Sequence, residues 1–386
     1  MDRACMKLLF LQLQITCLIL SLLLISNIGG SHEFKIAENT DFNTYPAIYE
    51  DIVVWSSCRN DNCDIYGYNL STNEEFRITT HPEWQLHPAI YGNIVVWTDF
   101  RNEEIDINGY NISTKEEFQI TTGPGWNSHP RIYKNTVVWD NTRGHIIDVY
   151  GCNLLTGEEF RISKALWEQF CPEIHGDYVV WVDGRNGNFD IYGYNLQTKE
   201  EFQITTDPHN DRCPAIHGDI VVWSDSRKSN YSDHYIYGYN LQTKEEFQIA
   251  ADLDEVSCPA IYKNYVVWED ERNGNLDIYI YKLLTNEEFQ ITKDTSDQKN
   301  PAIYKDIVVW IDNRNGGWDI YGYNLSSLFG PSFTGPPVPH TSPPEPPPFP
   351  PVQESFTFPK NFAAIVAVIA LIIVSVLAFE VIKKSS

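Results

Sequence analysis

Short apolar runs separated by turn-forming residues recur along most of this chain. One of these runs ends in Val-Val-Trp seven times, and its tryptophans are Trp55, Trp97, Trp139, Trp181, Trp223, Trp268 and Trp310. Five of the six intervals between them are 42 residues long, and the interval from Trp223 to Trp268 is 45. A repeat of this length is one supersecondary unit that buries its apolar face only against neighbouring units.

Each repeat predicts four short β-strands, which we label A to D in chain order. In the copy around Trp97 the four runs cover residues 88–91, 94–97, 106–111 and 117–121. Gly92-Asn93 between the first two runs suits a tight hairpin that needs a left-handed backbone. Seven copies of four antiparallel strands predict an all-β fold, the seven-bladed β-propeller.

The two ends of the repeat array predict how the ring closes. The seventh copy ends near Leu325 without a D strand. Residues 33–36, Glu-Phe-Lys-Ile, match the sequence of strand D and stand before the first copy. Phe34 precedes Pro46 by 12 residues, the interval that also separates Phe118 from Pro130. We therefore expect residues 33–36 to be the outer strand of the last blade, which hides both edges of the array. The alternative is an open solenoid, which would not require the missing D strand of the last copy to stand before the first copy.

The chain ends predict a membrane-anchored surface protein. Arg3 and Lys7, an apolar run and then small residues indicate a secretory signal peptide over residues 1–30, with an uncleaved anchor as the alternative. After a propeller over residues 31–328, the Pro-rich residues 329–360 predict an extended stalk. Residues 361–382 predict a single transmembrane helix, and the basic tail 383–386 is expected in the cytoplasm. The propeller is then extracellular.

The charge of the chain argues against one class of partner. It has 52 acidic and 28 basic residues, a formal net charge of −24. Binding to phosphate backbones requires clusters of Lys and Arg, so we expect no nucleic-acid partner.

The repeat wording also resembles a known family. Pro-Ala-Ile, Val-Val-Trp-x-Asp-x-Arg-Asn-Gly, Asp-Ile-Tyr-Gly-Tyr-Asn-Leu and Glu-Glu-Phe-Gln-Ile-Thr resemble the TolB-type β-propeller repeat of archaeal cell-surface proteins, over residues 33–327 or so. The resemblance implies the propeller fold. It says less about activity, because such repeats occur in binding modules, in accessory domains of peptidases and in lyases. Some of those lyases hold a metal in the axial cavity with His ligands.

Two charged positions recur in nearly every copy. An arginine stands four residues after each tryptophan, and an aspartate opens strand C in six copies. We expect the two to form a charge-assisted pair across the B–C loop, because they stand at its two ends. A calcium loop is the alternative reading of the same oxygen-rich segment, and the arginine disfavours it.

The residue before the strand-A proline varies, unlike the scaffold positions. In chain order it is Tyr45, His87, His129, Cys171, Cys213, Cys258 and Asn300. Strand A is the innermost strand of a propeller blade, so these side chains should circle the mouth of the central channel. Imidazole and thiolate suit a transition metal held by His87, His129, Cys171, Cys213 and Cys258. A disulfide between neighbours, or simple packing of small apolar cysteines, are the alternatives.

The remaining candidates lie in turns and loops. Cys58 and Cys63 flank the B–C loop of the first copy and are expected to form a disulfide. The loops between strands D and A carry aromatic residues that suit sugar or peptide ligands, unless each packs on a neighbouring blade: Phe42, Trp84, Trp126 and Trp167. Glycosylation sequons begin at Asn69, Asn111, Asn230 and Asn324, although the turn explains three of these asparagines without a glycan.

No Gly-x-Ser-x-Gly, P-loop or His-Glu-x-x-His motif occurs in the sequence. The first functional hypothesis is therefore a non-enzymatic surface module that binds an envelope polysaccharide or a surface protein. The alternative is a metal-assisted lyase or hydrolase acting on a sugar or acidic polymer at the channel mouth. An accessory or assembly role in the cell envelope is a third hypothesis.

Overall fold

The structure is a computed structural model that describes residues 32–40, 44–59, 62–101, 104–143, 146–227, 234–253 and 257–329. The predicted signal peptide lies outside these ranges, as do the transmembrane helix, the tail and all of the predicted stalk after Phe329. Within the described ranges no helix is long and apolar enough to cross a bilayer.

Twenty-eight strands and one short helix, α1 (Ser326–Phe329), make up the described chain. The A strands are β2 (Ala47–Tyr49), β6 (Gln85–Tyr91), β10 (Asn127–Tyr133), β14 (Gln169–His175), β18 (Asp211–His217), β22 (Ala260–Tyr262) and β26 (Gln298–Tyr304). The B strands are β3 (Ile52–Arg59), β7 (Ile94–Asp99), β11 (Thr136–Asn141), β15 (Tyr178–Asp183), β19 (Ile220–Asp225), β23 (Tyr265–Asp270) and β27 (Ile307–Asp312). The C strands are β4 (Asn62–Asn69), β8 (Asp106–Asn111), β12 (Asp148–Asn153), β16 (Asp190–Asn195), β20 (His234–Asn240), β24 (Asp277–Lys282) and β28 (Trp318–Asn324). The D strands are β5 (Glu74–Arg77), β9 (Glu116–Gln119), β13 (Glu158–Arg161), β17 (Glu201–Gln203), β21 (Glu245–Leu253), β25 (Glu287–Gln290) and β1 (Glu33–Thr40).

These strands form seven antiparallel four-stranded sheets, which confirms the predicted propeller. Each A strand contacts the A strands of the blades before and after it, and β2 contacts β26, so the A strands surround a central axis. Because the strands alternate in direction, the D–A and B–C loops share one face, which we call the loop face. The A–B and C–D turns share the opposite face, the turn face.

The hydrophobic core lies between blades rather than within them. All seven Val-Val-Trp tryptophans are fully buried. Trp97, for example, packs with Val95 and Ile90 of its own blade and with Val54 and Ile65 of the blade before it. Strand B therefore has no solvent-facing side, which explains why its sequence is continuously apolar.

The N-terminal strand closes the ring as the repeat phase predicts. The last sheet has the order β26-β27-β28-β1, and Phe34 pairs with Gly322. Glu33 lies 2.7 Å from the guanidinium of Arg314, and Lys35 lies 3.0 Å from Asp319. The first strand thus supplies the contacts that other blades obtain from their own D strands.

The predicted partner of the repeated arginine is wrong. Arg101 pairs with Asp99, the last residue of strand B, whose carboxylate also accepts the Trp97 indole N–H at 2.8 Å and the Arg101 backbone N–H at 2.9 Å. The same guanidinium reaches Glu117 on strand D at 2.5 Å. The strand-C aspartate, Asp106, instead accepts from strand D. The turn after strand B brings Asp99 to the arginine before the chain reaches strand C, so the nearer carboxylate takes it.

A glycine in strand C sets the fit of strand D. A Cβ built on Gly322 would lie 2.6 Å from Phe34 Cζ. We expect Gly322→Ala to lower the free energy of unfolding by about 1–3 kcal/mol, because overpacking forces Phe34 off the sheet. Thermal unfolding of the full-length protein measures this loss.

The matched control is Gly92→Asn. Gly92 has a left-handed backbone (φ +58°) with nothing within 4 Å of a built Cβ, and Asn tolerates that conformation. Its effect should stay within about 0.5 kcal/mol. Equal losses in the two variants would contradict the packing argument.

Candidate functional site

The entry to strand A is distorted where the variable residues stand. In five blades the pairing of strands A and B shifts register after the second residue of strand A. The third residue, which precedes the proline, has a left-handed backbone with φ of 52–54° in these blades: His87, His129, Cys171, Cys213 and Asn300. Residues before proline normally prefer an extended backbone, and bulges re-aim side chains. Such a conformation costs free energy and persists only where surrounding contacts hold it.

Side chains of the preceding blade hold this distortion. The N–H of His129 donates to Thr98 Oγ1 at 3.2 Å, and the N–H of Asn300 donates to Glu269 Oε2 at 2.7 Å. The N–H of Cys171 donates to the carboxylate of Asp140 in the same way. In each case the acceptor directly follows a buried tryptophan, so the rigid core positions the channel mouth.

The variable residues meet around the axis, as predicted, and we call them the mouth ring. The ring centroids of His87 and His129 lie 4.4 Å apart, and those of Tyr45 and His87 lie 6.1 Å apart. Cys213 and Cys258 form a disulfide with their Cα atoms 5.1 Å apart. The disulfide that the sequence offered as an alternative is therefore present for this pair, and neither sulfur is free to bind a metal. Of the predicted metal ligands, His87, His129 and Cys171 remain as candidates.

Charged groups concentrate in the sector of the third and fourth blades. His129 Nδ1 lies 2.9 Å from Asp140 Oδ2, and Arg131 Nε lies 2.5 Å from Glu173 Oε1. Arg131 and Glu173 stand where the other blades have Ala47, Ala89, Ala215, Ala260 and Ala302. This ion pair was not predicted from the sequence, although the exchange of alanine for a charged residue was a visible signal.

Two members of the mouth ring, His87 and Cys171, are uncharged at neutral pH. Burial lowers the pKa of His87 to about 3, with smaller contributions from the nearby His129 and Arg131. Burial, followed by the charge of the Asp140 carboxylate, raises the pKa of the Cys171 thiol to about 12. Cys171 is accessible from the channel, but the surrounding wall of protein disfavours its thiolate. His87 therefore offers a neutral imidazole, and Cys171 is not an activated nucleophile.

A second ring of side chains, also not predicted from the sequence, lines the other end of the channel. The last residue of each A strand is aromatic, and neighbouring rings contact each other around the full circle with centroid separations of 4.1–5.0 Å. This aromatic collar consists of Tyr49, Tyr91, Tyr133, His175, His217, Tyr262 and Tyr304. Seven contacting rings narrow the channel at the turn face.

Burial shifts the pKa of two collar residues, His175 and Tyr304. His175 Nδ1 accepts the Gly218 N–H at 2.9 Å, and burial followed by the charge of Lys134 lowers the pKa of this imidazole to about 4. Burial also raises the pKa of Tyr304, and its tyrosine neighbours add to the shift.

Three of the predicted ligand-binding aromatics stand exposed on that loop face. The exposed fractions are 51% for Trp84, 59% for Trp126 and 63% for Trp167, and the adjacent Leu166 is 82% exposed. Trp84 contacts Phe100 edge-on, but none of the three is packed away against a neighbouring blade. Phe42 lies outside the described residues.

Two further sets of candidate residues are explained locally. Cys58 and Cys63 pair in register across the first B–C loop and form the predicted disulfide. The side-chain oxygens of Asn69, Asn111 and Asn324 accept backbone N–H groups two residues ahead, so the turn accounts for these asparagines. Asn230 lies outside the described residues, and glycosylation of the four remains a prediction.

Comparison with known proteins supports the fold alone. No family model and no curated protein matches the chain. The β-propeller domain of the Trilobed protease from Pyrococcus furiosus is 15% identical, with a TM-score of 0.60 over 78% of this chain and 99% of that one. An oligogalacturonate lyase in complex with manganese is 12% identical, with a TM-score of 0.57 over 72% and 87%. These similarities place the fold of this chain in the β-propeller class.

TolB from Acinetobacter baumannii also matches, at 13% identity and a TM-score of 0.49. The match covers 62% of this chain and 62% of TolB, so the chain spans less than two thirds of that protein. At this score the likeness adds nothing to the propeller topology already described, and activity and partners do not follow from it.

The raised pKa of Cys171 predicts slow alkylation. At pH 8 roughly a thousandfold less thiolate is present than for an ordinary cysteine, so labelling should be slower by a similar factor. Asp140→Asn should accelerate it, because removing the carboxylate lowers the thiol pKa. Peptide mapping after timed labelling measures the Cys171 rate separately from that of the buried Cys152.

Glu269→Gln is the control for this experiment, since Glu269 holds the mouth ring at Asn300 in another sector. Its Cys171 rate should match that of the wild type. Labelling at the rate of a free thiol in all three proteins would contradict the assigned environment.

Proposed function

We propose that this propeller is a non-enzymatic binding module at the cell surface, anchored by the C-terminal helix, and that its loop face holds an envelope polysaccharide. The observation that carries the proposal is the row of exposed tryptophans, Trp84, Trp126 and Trp167, on the D–A loops that lead into three consecutive blades. Exposed aromatic side chains on a rigid scaffold offer flat apolar faces to sugar rings.

The polar sector of the mouth ring supports a sugar ligand over a purely apolar one. His129, Asp140, Arg131 and Glu173 belong to the same third and fourth blades whose loops carry Trp126 and Trp167. A pocket with aromatic walls and a few fixed polar groups is the usual form of a small-ligand or saccharide site. The net charge of −24 favours a neutral or basic polymer over a polyanion.

A second candidate function is a metal-assisted lyase or hydrolase at the channel mouth. His87 and His129 lie side by side, and a carboxylate that orients a metal-binding imidazole is common in metal sites. The oligogalacturonate lyase with manganese shares the fold. In this chain the Cys213–Cys258 disulfide leaves three residues of the predicted set, and they fit a metal only if Cys171 gives up a proton that burial holds.

The binding proposal predicts that Trp84→Ala combined with Trp126→Ala weakens polysaccharide binding about 30-fold or more. Each buried aromatic anchor of an interface typically contributes more than 1 kcal/mol, and 1.4 kcal/mol is tenfold in affinity. A glycan array screens the full-length protein for a ligand, and titration of that ligand then gives the ratio. Leu155→Ser is the control, because Leu155 is 73% exposed but lies on a C–D turn of the opposite face.

Retained affinity in the double variant would refute the placement of the site. The lyase alternative makes a different prediction. A transition metal should copurify with the protein in about equimolar amount and be lost in His87→Ala, whereas Trp84→Ala should leave the metal content unchanged. Protein without metal that still binds the glycan would eliminate that alternative.

A further inference from the structure

Three aspartates converge on the loop face at the start of the fifth blade. Asp207 lies on the loop after β17, Asp211 begins β18, and Asp225 ends β19. One carboxylate oxygen of each lies within 4.8 Å of the others. Asp211 and Asp225 are fully buried, and the Asp207 side chain is 22% exposed. We call this group the aspartate cluster.

Asp211 departs from the pattern of the other blades. The equivalent position carries a buried amide in four of them, at Gln85, Asn127, Gln169 and Gln298. The Asn127 amide shows why: its NH2 group donates to the carbonyl oxygens of Ile105 and Gly125, and its oxygen accepts the Trp139 indole N–H. A carboxylate at this position has no hydrogen to donate to the loop carbonyls.

The Asp211 carboxylate is consequently unsatisfied. Both of its oxygens are buried without a hydrogen-bond partner, and although Thr205 and Asp225 lie beside it, neither completes a bond of normal geometry. A buried unpaired carboxylate is costly enough that it neutralises by taking up a proton or by binding a cation. Burial, followed by the charges of Asp225 and Asp207, raises the pKa of Asp211 to about 9.

The nearby cation is already engaged. Arg227 Nη2 lies 2.5 Å from Asp225 and its Nη1 lies 2.5 Å from Glu246, as in the repeated arginine pairs of the other blades. Its Nη2 is 3.7 Å from Asp207, whose other oxygen accepts the His209 N–H and faces the imidazole at 3.3 Å. Asp207 and Asp211 therefore add two carboxylates beside a guanidinium that already has two carboxylate partners.

We propose that the aspartate cluster is a binding site for a divalent cation, and that the cation is Ca²⁺. Carboxylate oxygen is the ligand that Ca²⁺ prefers, at 2.3–2.6 Å, so one ion can bridge oxygens up to about 4.8 Å apart. Backbone carbonyls and water complete its six to eight ligands. Zinc and copper favour nitrogen or sulfur ligands, which the cluster lacks.

A bound ion would fix the D–A loop of the fifth blade against the channel mouth. Asp211 stands two residues before Cys213, the mouth-ring member in the disulfide to the sixth blade. The ion joins this loop to β19 through Asp225. Within the described residues, such a cluster of three carboxylates occurs in the fifth blade alone.

Terbium luminescence provides a direct test, with Tb³⁺ as a probe for calcium sites. The Trp223 indole N–H donates to Asp225 at 3.4 Å, so excitation of this tryptophan should sensitise a bound Tb³⁺, and Ca²⁺ should displace the probe. In the full-length protein Ca²⁺ at 100 times its Kd should raise Tm by about 5 °C.

Asp211→Gln restores the amide of the other blades and should abolish both the Tb³⁺ emission and the Ca²⁺-dependent shift in Tm. In EDTA this variant should unfold at a higher temperature than the wild type, because the unsatisfied carboxylate is gone. Asp207→Asn, at a partly exposed position, provides a second variant in case the first does not fold, and should weaken Ca²⁺ binding at least tenfold. Glu168→Gln removes an exposed carboxylate from a neighbouring D–A loop and should change nothing.

Absence of Tb³⁺ emission together with absence of a Tm shift in 10 mM Ca²⁺ would overturn the proposal. So would binding that survives in both Asp211→Gln and Asp207→Asn. A response to Mg²⁺ or Mn²⁺ without one to Ca²⁺ would overturn the identity of the ion.

Discussion

The burial of one tryptophan between each pair of neighbouring blades is the constraint on which the rest of the structure depends. Each blade offers a face that only the next blade covers, so stability requires a closed ring. In five blades the tryptophan also donates to the aspartate that ends strand B, as Trp97 does to Asp99. Those aspartates fix the arginines that tie strands B and D together. The rigid wall behind the channel mouth is therefore an outcome of core packing.

The periodicity of the sequence was sufficient to predict the strands, their order and the closure by residues 33–36, because hydrophobic spacing and chain phase determine them. The periodicity did not predict the partner of the repeated arginine. Two aspartates lie near this arginine in the sequence, and the conformation of the turn after strand B determines which of them pairs with it. The Cys213–Cys258 disulfide stayed one of three readings because a separation of 45 residues does not reveal a Cα distance of 5.1 Å.

Several departures from the repeat lie on neighbouring blades of the ring. Arg131 and Glu173 replace alanines in the third and fourth blades, the exposed tryptophans precede blades two to four, and Asp211 replaces an amide in the fifth. The scaffold positions vary little between blades, so in the proposed binding function these exceptions are the residues that would recognise an asymmetric ligand. These residues break the sevenfold symmetry of the loop face and the channel mouth, and the aromatic collar narrows the channel at the turn face.

Closure of the ring by β1 and β28 also governs the order in which the molecule assembles. Glu33 and Arg314 are 281 positions apart in the chain, yet their ion pair lies on the seam that completes the last blade. During synthesis β1 emerges first and waits for a partner that is made last, while the inter-blade cores form in sequence behind it. Such a long-range pairing folds slowly and leaves two unpaired edges exposed until the end. The growing chain is therefore most vulnerable to mispairing with another copy just before its final blade is complete.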